Sequence, residues 1–192
     1  MGRLSLPVSG AKLASNAAVA AATAISLGMP FEAAERAFAR FGGVARRFEH
    51  RGEARGVRFV DDYAHLPTEV GAVLEAARST TSGRVVAVFQ PHRYSRTQAV
   101  WAQFADAFSA ADQVVITDVY AAGEQPIPGV TGKLIADAVQ DAHPGLGVLY
   151  VPEREQVATA VAALLHEGDL CITLGAGDLT QLCEELLAAP TW

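Results

Sequence analysis

Cysteine, aromatic side chains and basic residues are all scarce in this chain of 192 residues, and each shortage narrows what it can do. The two cysteines, Cys171 and Cys183, sit in strongly apolar contexts without metal-ligand spacing, so a disulfide framework and a cysteine metal site are both unexpected. This usage points to a reducing, cytoplasmic setting. Lys and Arg number 15 against 21 Asp and Glu, a net charge of −6, which argues against nucleic acid as a partner because such binders carry a clustered basic excess. No apolar run approaches the roughly 20 residues of a membrane span, and the Ala-rich stretch from Ala14 to Ala24 is interrupted by Ser15, Asn16 and Thr23. The first residues, Met-Gly-Arg-Leu-Ser, lack the basic region and apolar core of a secretory signal. A P-loop of the form G-x-x-x-x-G-K-[ST] is also missing. The nearest string, Gly129-Val130-Thr131-Gly132-Lys133-Leu134, has the wrong spacing and no hydroxyl after the lysine, so any ATP loop lies elsewhere.

What remains is rich in Ala and Val, 51% hydrophobic and 19% charged, enough to bury a core within one domain, or one domain and part of another. Good helix formers run from Lys12 to Leu27 with Gly28 behind them as a cap, and Pro30 opens a second helical pattern carrying Phe31, Ala34, Phe38 and Phe41. Two short strand-like pieces follow, Phe48 to Gly52 and Val57 to Asp61, with a polar turn between them. Apolar runs at Val57–Val60, Val85–Phe89, Val114–Ile116, Val148–Val151 and Leu170–Leu174 then alternate with helical patterns. Their stripes include Val70, Val73, Leu74 and Ala77 behind Pro67; Val157, Val161, Leu164 and Leu165; and Leu179, Leu182, Cys183, Leu186 and Leu187. Ser95 with Gln98 reads as a capping box ahead of Val100, Phe104 and Phe108. Continuous apolar strands between amphipathic helices predict an α/β fold, a doubly wound and mostly parallel sheet covered on both faces. Ligands of such sheets bind beyond the carboxyl ends of the strands.

Those ends carry most of the unusual polar residues. Asp61-Asp62-Tyr63-Ala64-His65 crowds two carboxylates, a phenol and an imidazole into one strand-to-helix turn; the pair of acids suits a metal or a ribose diol, or else one caps the turn and the other is solvated. In Gln90-Pro91-His92-Arg93-Tyr94-Ser95-Arg96-Thr97, Arg93 and Arg96 stand three apart where a loop enters a helix. Both guanidiniums can face one anion there, the alternative being two solvated arginines. Gly175-Ala176-Gly177-Asp178 resembles part of a dinucleotide fingerprint, but Thr180 stands in place of the third glycine, so a tight turn into a helix capped by Asp178 is the better expectation. Arg47, beside Arg46, either binds phosphate or ties a hinge to the main domain. His50, His143 and His166 are expected at the surface.

Five segments together, Gly43-Val44-Ala45-Arg46-Arg47-Phe48, Asp61 to Glu69, Phe89 to Thr97, Asp118-Val119-Tyr120-Ala121-Ala122-Gly123-Glu124 and Leu174 to Asp178, resemble the Mur ligases in order and context. The resemblance covers nearly the whole chain. It implies that residues 1–45 are the last helices of the central ATPase domain with a hinge, and that residues 46–192 are the Mur ligase C-terminal domain, Rossmann-like, which brings in the amino acid. Within the family the combination is similar to members that join L-alanine to UDP-N-acetylmuramate in peptidoglycan biosynthesis. Such ligases use ATP and Mg2+ and pass through an acyl phosphate. A related ligase that attaches a murein tripeptide, and a non-catalytic amino-acid-binding module, are the alternatives; the two glycines Gly175 and Gly177 leave a nicotinamide-binding protein as a further rival. By resemblance His92, Arg93 and Arg96 surround L-alanine with Tyr63 and His65 nearby, while Arg47, Asp62 and Asn16 reach the nucleotide. No metal ligand is implied in this portion, and the missing P-loop implies a chain inactive by itself. Two departures stand out, His65-Leu66 where the family has His-His and Lys12-Leu13 where it has His-Asn, and both weaken the nucleotide side more than the alanine side.

Overall fold

The computed structural model describes residues 2–7 and 11–189, leaving aside the side chains of residues 11 and 12, so that of Lys12 lies outside the described residues. These fall into two compact units, residues 1–45 and 46–192. In the first, helix α1 (Ala11–Ser26) and helix α2 (Phe31–Ala39) pack on each other around Ala21 and Ala34. Gly28 has φ +94°, a left-handed conformation that ends α1 at little cost for glycine. Pro30, extended at φ −62° and ψ 141°, starts α2. Val19, Ile25 and Leu27 stay exposed.

The second unit is built on six strands: β1 (Glu49–Ala54), β2 (Val57–Asp62), β3 (Val85–Phe89), β4 (Gln113–Thr117), β5 (Gly147–Val151) and β6 (Leu170–Leu174). Their order is β1-β2-β6-β3-β4-β5, with β1 antiparallel to β2 and every other pair parallel. Helices α3 (Pro67–Ser79), α4 (Tyr94–Val100) with a 3-10 turn (Trp101–Phe104), and α5 (Lys133–Ala142) cover one face. Helices α6 (Arg154–Leu164) and α7 (Leu182–Ala188) cover the other. The central strands are buried throughout, yet their side chains still alternate: Val85, Ala87 and Phe89 join one core, Val86 and Val88 the other. Phe89, Phe104 and Phe108 meet with ring centroids 5.0 to 6.3 Å apart. Burial of each of these side chains contributes roughly 1.5–3 kcal/mol.

This winding places the site. The chain leaves β6 toward α7 on one face, whereas it leaves both neighbours, β2 and β3, toward α3 and α4 on the other. Crevices therefore open at the carboxyl ends on either side of β6. Beyond the regular strands, His92 and Tyr120 form an isolated parallel bridge: Arg93 N–H donates to the Tyr120 carbonyl at 2.8 Å, and Tyr120 N–H to the Pro91 carbonyl at 2.9 Å. The loops after β3 and β4 are thus tied together at that edge.

The expected capping box at Ser95 does not form. Helix α4 is capped at Arg93, not Ser95, and is only seven residues long; Ser95 instead gives its N–H and hydroxyl to Glu124 of the β4 loop, at 2.9 and 2.6 Å. A charge supplied from another loop has replaced the local box. Helix α5 begins inside the string that failed as a P-loop, where Gly132 N–H donates to Asp118 Oδ1 at 2.8 Å. A Cβ on Gly132 would meet the Thr117 carbonyl, so only glycine allows this approach.

Candidate active site

Four rings line the carboxyl edge of the sheet. Tyr63 and His65 follow β2, His92 follows β3 and Tyr120 follows β4, with successive centroid separations of 5.4, 6.0 and 5.7 Å. Tyr63 meets His65 edge-on, and His92 stacks on Tyr120 at 23°. Cations stand at both ends of this arc. The guanidinium carbons of Arg46 and Arg47 lie 4.9 and 5.4 Å from the Tyr63 ring centre. Arg96 and Arg93 flank His92 at the other end.

Beneath Tyr63 the two acids have different roles from a shared metal site. Asp61, buried, accepts from Thr173 Oγ1 at 2.6 Å, Thr180 Oγ1 at 2.7 Å and Arg46 Nε at 3.2 Å. Asp62, also buried, accepts from Phe48 N–H at 2.7 Å and Ala64 N–H at 2.8 Å. Burial raises its carboxyl above the usual range, against the pull of those two amides and of Arg47. The acids thus fasten the entering turn, whose Arg46 and Phe48 are held at φ +57° and +48°. Such left-handed backbone in bulky residues costs of order 1–3 kcal/mol each and persists where surroundings impose it. Arg46 also donates through Nη2 to the Gly175 carbonyl at 2.6 Å, so the glycine loop after β6 is filled by an arginine of this chain. Arg47, between the two strained residues, is exposed over Tyr63.

At the other end Arg93 occupies φ +72°, ψ 136°, a strained position for a side-chain-bearing residue at the start of α4. Its Nη1 is 4.0 Å from Glu124, whose carboxyl is held below its usual range chiefly by the Ser95 hydroxyl and amide. Arg96 Nη1 donates to His92 Nδ1 at 3.1 Å and to the His92 carbonyl at 3.3 Å. Burial, aided by Arg96, His65 and Arg93, lowers the His92 imidazole below its usual value. His65 Nδ1 lies 3.0 Å from the Tyr63 carbonyl, and Glu69 accepts from the His65 and Leu66 amides at 3.2 and 3.3 Å, which fixes the start of α3. Leu66 takes part through its backbone alone.

The arrangement offers one carboxylate or phosphate group several donors without burying them. Tyr63, His65, His92, Arg93 and Arg96 come together on the edge, with Arg47 and Asp62 at the Tyr63 end; Asn16 is exposed on α1 of the first unit. Sequence reasoning did not single out Tyr120 and Glu124 as site residues. Tyr120 is seated on Gly177, where a Cβ would fall 2.6 Å from its Cγ, and the turn signal Ala121-Ala122-Gly123 just before Glu124 was the available clue. Magnesium finds no fitting donor set: no group of three metal-ligating side chains occurs among the described residues, and Asp61 and Asp62 serve amides, hydroxyls and Arg46.

The second unit is a parallel sheet with an antiparallel edge hairpin and with cations along its carboxyl edge, and a model of the Mur ligase, glutamate ligase domain family matches residues 46–177. The chain belongs to the Mur ligase family. It is 50% identical over 190 residues to the UDP-N-acetylmuramate–L-alanine ligase of Rubrobacter xylanophilus, covering 97% of this chain and 42% of that protein. With the same-named ligase of Saccharopolyspora erythraea it shares 51% identity over 182 residues, 94% of this chain and 37% of the other. Among solved structures, the UDP-N-acetylmuramate–alanine ligase of Thermotoga maritima superposes with a TM-score of 0.81 at 28% identity, over 97% of this chain and 39% of that one. The chain thus spans about two-fifths of the length of the curated relatives it matches.

Proposed function

We propose that this chain is the amino-acid-binding portion of a UDP-N-acetylmuramate–L-alanine ligase, and that the His92, Arg93 and Arg96 end of the arc holds the alanine carboxylate. The observation that carries the reading is the cluster itself, an imidazole beside two guanidiniums of which Glu124 lies against one, so that a cationic excess faces a ligand carboxylate; burial also lowers the imidazole, which favours its uncharged form. The relatives' names agree with it. In such a ligase ATP converts the muramate carboxylate to an acyl phosphate. The neutral amine of L-alanine then attacks the carbonyl carbon, a tetrahedral intermediate forms, and phosphate departs as the amide is made. This chain's share is positional: gripping the carboxylate leaves the amine pointing outward from the sheet edge, and fixed orientation supplies much of the rate gain of such a step.

Arg47, exposed beside Tyr63, is assigned to the nucleotide phosphates, and Asn16 to the base. Asp62 contributes on the nucleotide side chiefly by holding the Phe48 amide, and so the Arg47 turn. Residues 1–45 are assigned to the end of the central ATPase domain. Magnesium, which supplies charge neutralisation at the phosphates in ligases of this kind, is assigned no residue here. With no P-loop, the 192-residue chain alone is expected to give no ligation or ATP hydrolysis, and turnover by it would refute the assignment.

The test is Arg93→Ala in a full-length ligase carrying this domain. A charge-assisted hydrogen bond is worth roughly 1.5–3 kcal/mol, so the KM for L-alanine should rise about 10- to 100-fold while those for ATP and the UDP-sugar move less than about twofold. An unchanged alanine KM would remove the carboxylate site from this end of the arc.

A further inference from the structure

We propose that Arg96 is a positioning residue that locks His92 as the neutral Nε2–H tautomer, so that the site offers a carboxylate an uncharged N–H donor from His92. A guanidinium has five donors and no acceptor. Because Arg96 Nη1 lies 3.1 Å from His92 Nδ1, that nitrogen must accept, and the proton of the neutral ring must sit on Nε2. The same Arg96 nitrogen also reaches the His92 carbonyl, which fixes guanidinium and ring to one backbone position. Tyr120, stacked on the ring at 23°, restrains its tilt. Burial is the largest influence on the charge of His92; beside it Arg96 and Arg93 from α4 and its cap, and His65 from the turn before α3, oppose protonation, Glu124 from the β4 loop favours it, and Tyr120 faces the ring as its stacking partner. The first three prevail together with burial, and a protonated Nδ1 would have to displace Arg96.

The consequence is a division of labour not evident from residue types. Arg93 supplies the formal charge to a ligand, His92 a directed hydrogen bond, and Arg96 acts in part through His92. As the ring is already neutral at physiological pH, binding does not have to expel a proton from it. The carboxylate ligand rests on the reading given under Proposed function; the tautomer does not.

The experiment is long-range 1H–15N correlation of the imidazoles in the uniformly 15N-labelled chain, followed through a pH titration without ligand. The His92 signals should show unprotonated Nδ1 and protonated Nε2, with about a tenfold excess of this form, the ratio set by one hydrogen bond of ordinary net strength. Arg96→Met should cut that bias severalfold and move the His92 midpoint upward, and Arg96→Lys, which still donates, should restore the bias. A predominant Nδ1–H form in the unmodified chain overturns the inference, and so does an Arg96→Met variant with native amide shifts but unaltered His92 tautomer and midpoint. If the tautomer is as stated yet His92→Ala leaves the alanine KM of the full-length ligase untouched, the positioning of His92 stands and the carboxylate assignment falls.

Discussion

The two ends of the parallel sheet both collect arginines, and they treat them in opposite ways. At the amino edge Arg84 grips Asp169 through Nε at 3.0 Å and Nη2 at 2.6 Å and also donates to the Leu164 carbonyl at 2.9 Å. Arg78 meets Asp112 at 2.7 Å and the Gly83 carbonyl. Both of these arginines close junctions between strand starts and helix ends. At the carboxyl edge the deeper arginine, Arg46, is consumed in the same manner, but Arg47 lies over a ring, Arg93 stands 4.0 Å from its carboxylate and Arg96 spends a donor on a neutral imidazole. Among the described residues, three of the five strained non-glycine positions, Arg46, Phe48 and Arg93, lie at this edge, and a fourth, Ala122, is in its β4 loop. Arginine count does not distinguish the two edges; what each guanidinium still has to give does.

The largest effect of a single substitution is expected at Asp61. Its buried carboxylate joins Arg46, Thr173 and Thr180, so Asp61→Ala should lower unfolding free energy by about 3 kcal/mol, read as a shift of the urea midpoint. A loss below about 1 kcal/mol would show that the deep layer of the carboxyl edge is not structural. Asp169→Ala comes next, at about 2 kcal/mol, because its partner Arg84 is 40% exposed and screened by solvent. The alanine KM of the full-length ligase should then stay within about twofold, which would keep stability and binding on separate edges. Gly177→Ala should cost about 1–2 kcal/mol, since its backbone is ordinary at φ −97° but the new methyl would press on Tyr120 and Gln90. Unlike Asp169→Ala it should also disturb the Tyr120 stack on His92, visible as a change in the His92 ring shifts.

A smaller effect sharpens the contrast through pH. His92 is depressed in the folded chain relative to its unfolded value near 6.5, so below that value the unfolded chain takes up the proton first. Its contribution to stability is complete above that pH and is lost as pH falls from there toward the folded midpoint. The alanine KM should rise only at the acid end, as protonated His92 pushes Arg96 away; a rise centred above pH 7 would contradict the neutral-imidazole account.

Much of the fold was legible because the signals are local. Apolar runs of four or five residues alternating with stripes of 3.6 period predict a covered parallel sheet, and Pro67 and Gly28 mark helix boundaries where they lie. The polar cluster that the structure gathers at the carboxyl edge, the candidate site, shows in the sequence as residue types at strand ends, His92, Arg93 and Arg96 above all. What local reading missed depends on residues distant in sequence. Ser95 reads as a cap until Glu124 arrives from 29 positions away. Asp62 reads as a ligand for a diol until burial and the Phe48 amide claim it. Tyr120 gains a partner only when the β3 and β4 loops pair across His92.

Whether the open cations of the carboxyl edge hold the amino-acid carboxylate is decided by removing the carboxylate from the substrate and the cation from the protein in turn. In full-length ligase, kcat/KM for L-alanine and for L-alaninamide is measured with native Arg93 and with Arg93→Ala. The preference for L-alanine should fall by about tenfold or more in the variant, because only the acid loses a charge-assisted partner. An undiminished preference would contradict the carboxylate assignment.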